Sequence, residues 1–355
     1  MTQTTYSHIK QLIENSGVFH SNRNTKQAYQ SFDFSNETIL ITGAAGSIGS
    51  ELARHLLACE YKKLILIDIA ESPLYDLIKE FENEDSNKLE CLLININDVD
   101  SVEFLFENYK PTLIFHAAAY KHVPLMEVHP YEAVKTNVLA TKRLADLAIT
   151  YKVRKFIFIS TDKAVNPISA MGMSKLIAEN YIKQLAAKSG TQFAVTRFGN
   201  VIGSNGSVLL LFKKQMDAGV SLTITSKTVA RYFIDNYKAC NLILKIATFD
   251  ELEGSLFTFN MGEPVKLIDL ANYLIDQYGN DNSAKIEITA LRPGEKNDED
   301  IISADERLVP TPDKDILLVI QKNDNKRSEI DLSILLSVTP YLSPLEIKNI
   351  LASYI

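Results

Sequence analysis

The sequence predicts an α/β protein: a Rossmann-type, doubly wound parallel sheet carrying a smaller C-terminal α/β lobe for substrate. Three observations predict it. From Ser35 onward, short runs that are apolar along their whole length alternate with helical patterns, as parallel strands covered on both faces require. Gly43, Gly46 and Gly49 lie between the first such strand and the first helix. Asp68 ends the second strand.

The elements follow in order. Residues 7–15, SHIKQLIEN, form a short helix ending near Gly17, and the polar stretch 18–36 is a connecting arm. TILIT (38–42) is a buried strand and SIGSELARHLLACE (47–60) a helix. KLILID (63–68) and SPLYDLIKEFEN (72–83) repeat the strand–helix unit. LECLLIN (89–95), TLIFH (112–116), KFIFIS (155–160) and FAVTR (193–197) are further strands with helical segments between them. After about residue 200 the spacing changes. SLTIT (221–225) and KIEITAL (285–291) are short strands mixed with helices near 235–248 and 266–278, as a smaller lobe over the C-terminal edge of the sheet. SPLEIKNILASY (343–354) is a terminal helix, with Ser343 at its N-cap, Pro344 at its first position and Glu346 completing a capping box.

Composition bounds the function. The chain has 355 residues, 46% hydrophobic and 23% charged, an ordinary globular balance. A net charge of −7 without a long charged run argues against a general nucleic-acid surface. The 3 cysteines, Cys59, Cys91 and Cys240, form no CxxC spacing and read as reduced thiols of a cytoplasmic protein. The N-terminus lacks the apolar core of a signal peptide, and SVLLLF (207–212) is too short to span a bilayer. A soluble protein without a membrane span or a metal is expected.

The glycine loop has the context that gives it meaning. Gly43 permits the tight turn, Gly46 lets backbone approach a pyrophosphate, and Gly49 lets the helix pack close to the sheet. The helix start, with Ala45, Ser47 and Ile48, presents free N–H groups to the phosphates. Asp68, 19 residues after Gly49, would accept hydrogen bonds from the adenosine ribose and repel a 2′-phosphate. NAD is therefore expected, with NADP possible through a distant Arg or Lys. Ala117, Ala118 and Ala119 have the small side chains needed where a cofactor crosses the sheet edge. Lys121 and His122 point toward the cleft, or else are two surface bases on a tight turn.

The reactive stretch is KFIFISTDKAVNPISAMGMSK (155–175). Thr161, Asp162 and Lys163 stand at the carboxyl end of a strand, where open α/β sheets bind ligands. Lys175 lies on the following helix, where it can hold a nicotinamide ribose and lower the pKa of a nearby acid. A Ser/Thr with a downstream Lys at a cofactor site suggests a short-chain dehydrogenase/reductase, which usually carries Tyr-x-x-x-Lys. Here the Tyr position is Met171, which cannot transfer a proton. Tyr6/Lys10, Tyr75/Lys79, Tyr131/Lys135 and Tyr151/Lys155 have the same spacing, but none follows the strand that carries Thr161.

TGAAGSIGSEL, HAAAYKHVPLMEVHPYEAVKTNVLAT, STDKAVNPISAMGMSK, RFGNVIGSNGSVLLLFKKQ and RPGEK occur in this order. Over roughly residues 36–310 the chain resembles the nucleotide-sugar 4,6-dehydratases of bacterial polysaccharide biosynthesis, extended short-chain dehydrogenases/reductases that most often act on UDP-N-acetylglucosamine. It is similar to their sub-branch with Met in place of Tyr, often the catalytic part of a larger membrane protein, and is expected to be a free-standing soluble version. The resemblance implies oxidation at C4, loss of water across C5/C6 and return of hydride to C6. It implies Asp162 as the acid, Lys163 as the base, Thr161 on the 4-oxygen and Lys175 on the ribose. The 4-OH proton is left to Asp162, an ordered water or Lys175. It also implies a nucleotide site of Asn200, the Gly206–Ser207–Val208 loop, Arg231, Arg292 and Glu295, with Lys121 and His122 bordering the sugar. Two arginines suit a diphosphate because each can make paired hydrogen bonds.

The implied organisation is residues 1–35 as an N-terminal helix and arm, 36–200 as the NAD(P)-binding domain with strands and helices returned from the C-terminal half, 201–320 as a nucleotide-sugar lobe, and 321–355 as a helical tail. The pattern departs from the family at Asn95, which with Asp98 is expected beside the cofactor and stands where an adenine-contacting Asp is common. It departs again at NDEDI after RPGEK, and at Ala230 before RYF. HAAAYKHVPLME leans toward retention at C5. The helices near 130–150 and 169–188 resemble those that pair in this superfamily, so a homodimer or higher oligomer is expected. Two other readings stay open: a UDP-sugar 4-epimerase, which shares the C4 oxidation, and a catalytically silent sensor of the cofactor or sugar nucleotide.

Overall fold

The computed structural model describes residues 2–19, 28–252, 255–279, 285–322 and 329–355. The middle of the expected arm, 20–27, lies outside the described residues. Helix α1 (Gln3–Ser16) starts on Thr2, whose hydroxyl accepts from the Thr5 N–H, and stops at Gly17 in the left-handed region. Strand β1 (Asp33–Thr42) begins earlier than its apolar run, because Asp33 and Phe34 already pair with Glu60 and Tyr61 across a register irregularity before Thr38. Then come α2 (Ser47–Leu57), β2 (Glu60–Asp68), α3 (Glu71–Glu80), β3 (Leu89–Leu93), α4 (Val99–Tyr109) and β4 (Leu113–His116). The segment after β4 holds α5 (Val123–Val128), α6 (Pro130–Glu132), a π-helical stretch over Ala133–Ala140, and α7 (Thr141–Thr150). Strand β5 (Lys155–Ile159), a 3₁₀ turn at Asp162–Ala164, α8 (Ala170–Ala186) and β6 (Gln192–Arg197) follow.

The second half alternates between two bodies. Its elements are β7 (Asn200–Val201), α9 (Val208–Asp217), β8 (Leu222–Ile224), β9 (Ala230–Arg231), β10 (Phe233–Ile234), α10 (Asn236–Thr248), β11 (Leu256–Phe259), β12 (Val265–Lys266), α11 (Leu267–Tyr278) and β13 (Ile286–Ile288). The hairpin β14 (Glu306–Pro310) and β15 (Ile316–Gln321) and the tail helices α12 (Ser333–Leu336) and α13 (Pro344–Ala352) complete it.

The main sheet has the order β3-β2-β1-β4-β5-β6-β11-β15-β14. It is parallel from β3 to β11 and closes with the antiparallel β15 and β14. Alternate residues face opposite layers, as the period of two requires. Ile39, Ile41, Leu64 and Leu66 pack with α2 and α10. Leu40, Ile65, Ile67, Phe156 and Phe158 pack with α4, α7 and α8. The strand order reverses between β1 and β4, which places the ligand crevice at their carboxyl ends. α10, β11, β14 and β15 thus return to the sheet from beyond residue 200. The smaller body has its own core, in which Ile9 and Ile13 of α1 meet Leu209, Phe212 and Leu274.

The tail lies on the face of the helices expected to pair between protomers. Val134, Val138, Ala170, Met173 and Ile177 pack against Leu335, Ile347 and Leu351 of α12 and α13. Among the described residues, no helix is long and apolar enough to cross a membrane.

A buried ionic group joins helix to sheet. Arg197, at the end of β6, lies 2.6 Å from Glu179 of α8 and 2.8 Å from Glu306 of β14. Ser160 donates to the other oxygen of Glu179 at 2.5 Å. All three ionised side chains are buried, so each depends on the others for its charge to be tolerated. Glu179→Ala, which leaves Arg197 with one carboxylate, should lower stability by about 3–5 kcal/mol in urea unfolding. A loss below about 1 kcal/mol, the range of a surface pair, would refute this role.

Candidate active site

The cofactor half is shaped by close backbone approaches. Gly43 has φ 68°, and a Cβ there would lie 2.7 Å from Ala118 Cα. A Cβ on Gly49 would lie 2.1 Å from the Gly43 carbonyl oxygen. No side chain larger than hydrogen fits either place, so the loop and α2 sit tight against the β4 end. Gly46 forms the N-cap of α2 without a side-chain cap, which leaves the first N–H groups of the helix for a ligand. A cavity of about 320 Å³ opens beside this loop, lined by Gly43, Ala45, Gly46, Asp68, Asn95 and Ala117–Ala119. Asp68 is the one ionisable acid or base in its lining apart from Tyr120. Its two carboxylate oxygens accept from the Ala45 and Ala70 N–H groups, each at 2.9 Å, which fixes the carboxylate at the rim. These features fit a dinucleotide.

Other expected cofactor residues stand apart from that cavity. Asp98 caps α4 through Ser101 N–H and does not line it. Ser47 does not line it, and is held by other contacts: its hydroxyl accepts from Asn205 N–H at 3.0 Å, and its carbonyl from Asn236 at 2.9 Å. Ile48 and Gly49 lie inside α2. Asn97 and Asn205 line the cavity without having been expected there. The sequence carried no signal for Asn97 beyond its place after β3.

The reactive residues come together. Asp162 is fully buried in the 3₁₀ turn after β5. Its Oδ1 accepts from the Thr161 hydroxyl at 2.9 Å and from Lys163 Nζ at 3.0 Å, while its Oδ2 has no protein partner. Lys163 Nζ also donates to Asn200 Oδ1 at 3.0 Å, which brings β7 to the pair. Helix α8 abuts this turn directly: a Cβ on Gly172 would lie 2.3 Å from the Lys163 carbonyl oxygen. A glycine inside a helical pattern was the available sign of that contact.

Lys175 is buried one turn along α8. It donates to the Ile159 carbonyl at 2.7 Å and its Nζ lies 3.8 Å from the centre of the Phe158 ring. Burial pushes its pKa down to about 7, against the charge of Glu179. Met171 packs with Met126 and Ala133 and contributes no polar group. Asn137 links the two halves of the site by bonding both backbone groups of Tyr120 at 2.9 Å and Ser174 at 3.0 Å.

The residues expected at a nucleotide end form a second cluster. Arg231 is buried and donates to the carbonyls of Lys296 and Asn297, each at 2.8 Å. Its guanidinium is 3.4 Å from Glu295, and Arg292 is 3.2 Å from the same carboxylate. Although burial opposes it, the Arg292 hydrogen bonds hold the Glu295 carboxyl below its usual range. Gly206 presses on His122, where an added Cβ would lie 2.4 Å from the ring. Ser207 Oγ is buried without a protein partner, and Val208 starts α9. Lys121 and His122 are solvent-accessible side chains; the protein crowded around their polar ends lowers both pKa values, and the charges of Lys121 and Arg292 add to the fall at His122.

The chain is similar to known proteins. The family model described as polysaccharide biosynthesis protein matches residues 39–321. The capsular polysaccharide biosynthesis protein CapD of Staphylococcus aureus is 42% identical over 77% of this chain, and this chain spans 46% of CapD. A UDP-glucose 4-epimerase of Rickettsia massiliae and the inverting UDP-N-acetylglucosamine 4,6-dehydratase of Campylobacter jejuni are each 33% identical over 77% of this chain, covering 80% and 79% of those proteins. Among solved structures, Pen from Bacillus thuringiensis is 28% identical with a TM-score of 0.75, covering 90% of this chain and 98% of that one.

The depressed pKa of Lys175 has a consequence for stability. An unfolded lysine titrates near its ordinary value of about 10.4. Between about 7 and that value the unfolded chain binds the extra proton, so Lys175 makes stability rise with pH through this window. Urea midpoints of the protein minus those of Lys175→Met should increase from pH 7 to pH 9. A flat difference would contradict the burial of this charge.

Proposed function

The chain belongs to the polysaccharide biosynthesis protein family, and we propose that it is a nucleotide-sugar 4,6-dehydratase. The proposed substrate is UDP-N-acetylglucosamine, converted to its 4-keto-6-deoxy derivative for a surface polysaccharide or glycan. The observation that carries this reading is the Asp162–Lys163 pair, joined at 3.0 Å beside Thr161 and Asn200, with Asp162 buried and Lys163 partly open to the cleft. An acid and a base in contact suit an elimination, which removes a proton from one carbon and a hydroxyl from the next.

Each residue has a proposed task. Thr161 orients the 4-oxygen, since its hydroxyl is already fixed on Asp162. NAD, when bound, supplies the acceptor for the C4 hydride and its later donor. With the proton of the pair carried by Asp162 across their 3.0 Å contact, the neutral amine of Lys163 takes the C5 proton and Asp162 gives its proton to the departing C6 hydroxyl. Once water has left, hydride is added at C6 and Lys163 returns its proton at C5, so the cycle is redox-neutral. Lys175 faces the ribose and, with a pKa near neutrality, is the group best suited to take the 4-OH proton that Met171 cannot. Arg231 and Arg292 hold the diphosphate, and Glu295 the uridine ribose, once the ligand competes for their mutual contacts. His122, Gly206, Ser207 and Val208 border the sugar and base, and Lys121 spans sugar and cofactor. Asp68 favours NAD, because no Lys or Arg lines the cavity beside it.

A UDP-sugar 4-epimerase is the second reading, supported by the relatives named UDP-glucose 4-epimerase. It needs the C4 oxidation but no acid at C6, and it leaves Asp162 without its main task.

Incubation with UDP-N-acetylglucosamine and NAD should yield a product lighter by one water. An isomer of unchanged mass would favour the epimerase, and no product from any UDP-sugar would refute both. Asp162→Asn and Lys163→Ala should each lower turnover by about 10²–10⁴ while NAD still binds. Asp68→Ala should erode a preference for NAD over NADP by about tenfold, the worth of roughly one charge-assisted hydrogen bond. An unchanged ratio of the two dissociation constants would remove Asp68 from cofactor choice.

A further inference from the structure

Glu299 lies in the loop after RPGEK, within the NDEDI stretch that departs from the family pattern. It is 8% exposed, and its Oε1 stands 3.9 Å from Lys163 Nζ. The other two oxygens around that ammonium are Asp162 Oδ1 and Asn200 Oδ1, each at 3.0 Å. A lysine ammonium has three N–H groups, and Glu299 stands beside it as a third acidic or amide oxygen. The Oε2 of Glu299 has no hydrogen-bond partner, although Lys296 Nζ is 3.8 Å away. Lys296 itself donates to the Val165 carbonyl at 2.7 Å, which pins the loop onto the turn that carries Lys163. Arg231 holds the same loop through the carbonyls of Lys296 and Asn297. The loop just before Glu299 is therefore held from two sides, which sets the Glu299 carboxylate beside the reactive pair.

We propose that Glu299 is the positioning residue for Lys163, aiming its Nζ at the sugar and balancing its charge. This proposal rests on the dehydratase reading for its effect on turnover, but not for its effect on Lys163. Burial raises the Glu299 carboxyl above its usual range, and Asp162 adds to the rise. Lys163, Arg231 and Lys296 oppose it. The balancing charge is thus lost at a higher pH than for an ordinary glutamate as pH falls. Turnover should fall with it on the acid side.

Glu299→Gln keeps the shape and removes the charge. Its kcat at pH 8 should drop by about ten- to a hundredfold, as for a misaimed group, with KM within about twofold. The acid-side fall of kcat should flatten. Independently of any substrate, acetylation of Lys163 by acetic anhydride at fixed pH, read by peptide mass spectrometry, should accelerate several-fold, because a neighbouring negative charge favours the unreactive ammonium. If both the pH profile and the Lys163 acetylation rate match the unsubstituted protein, the proposal is overturned, whatever happens to the overall rate. If acetylation responds but no UDP-sugar is dehydrated, the positioning role stands and the dehydratase reading fails.

Discussion

The site is built around one buried ionic group, Arg197 between Glu179 and Glu306. It ties the end of β6 to the middle of α8 and to the hairpin at the sheet edge. Removing three charges from water is costly, and their mutual contacts offset it together with bonds from Ser160 to Glu179, from Arg197 to the Ile301 carbonyl and from the Ser303 N–H to Glu306. That cost gives the group its use. Any slide of α8 along the sheet would leave a buried charge unmatched, so the helix has one register. Ser160 precedes Thr161, and Lys175 lies one turn before Glu179, so the reactive turn and the buried lysine take their positions from the same anchor.

Close backbone contact does the rest. Gly172 brings α8 onto the Lys163 carbonyl, and Gly43 and Gly49 draw the phosphate-binding turn against the end of β4. The three contacts converge on the point where the strand order reverses. The same packing keeps Lys175 out of water, which lowers its proton affinity toward neutrality, while Glu179 in the same helix limits the fall. On the proposed reading, this buried lysine is the group that takes the proton Met171 cannot.

Much of this was legible in the sequence because it depends on short spacings. The glycine turn, Asp68 at the end of β2 and the Thr161–Lys175 run lie on single strand–turn–helix units, where local geometry decides placement. The terminal capping box was legible for the same reason, and Ser343 and Glu346 form it. What could not be read depends on contacts between distant segments. Arg197 and Glu306 are joined only when β14 returns to the sheet, and Glu299 meets Lys163 only when the loop after Arg292 folds over the turn. The early start of β1 rests on pairing with Glu60 and Tyr61, not on hydrophobicity. Asn95 and Asp98 looked alike as neighbours of the cofactor, yet one lines the cavity and the other caps a helix. The helices near 130–150 and 169–188 were expected from resemblance to pair between protomers, and the sequence did not say that α12 and α13 would pack on them.

The central claim is that Asp162 and Lys163 turn a C4 oxidation into an elimination, with one hydride leaving C4 and arriving at C6. Following deuterium from C4-labelled UDP-N-acetylglucosamine by NMR tests it most directly. The account predicts that the label appears at C6 of a 4-keto-6-deoxy product. Label found again at C4, in a product of unchanged mass, would contradict it.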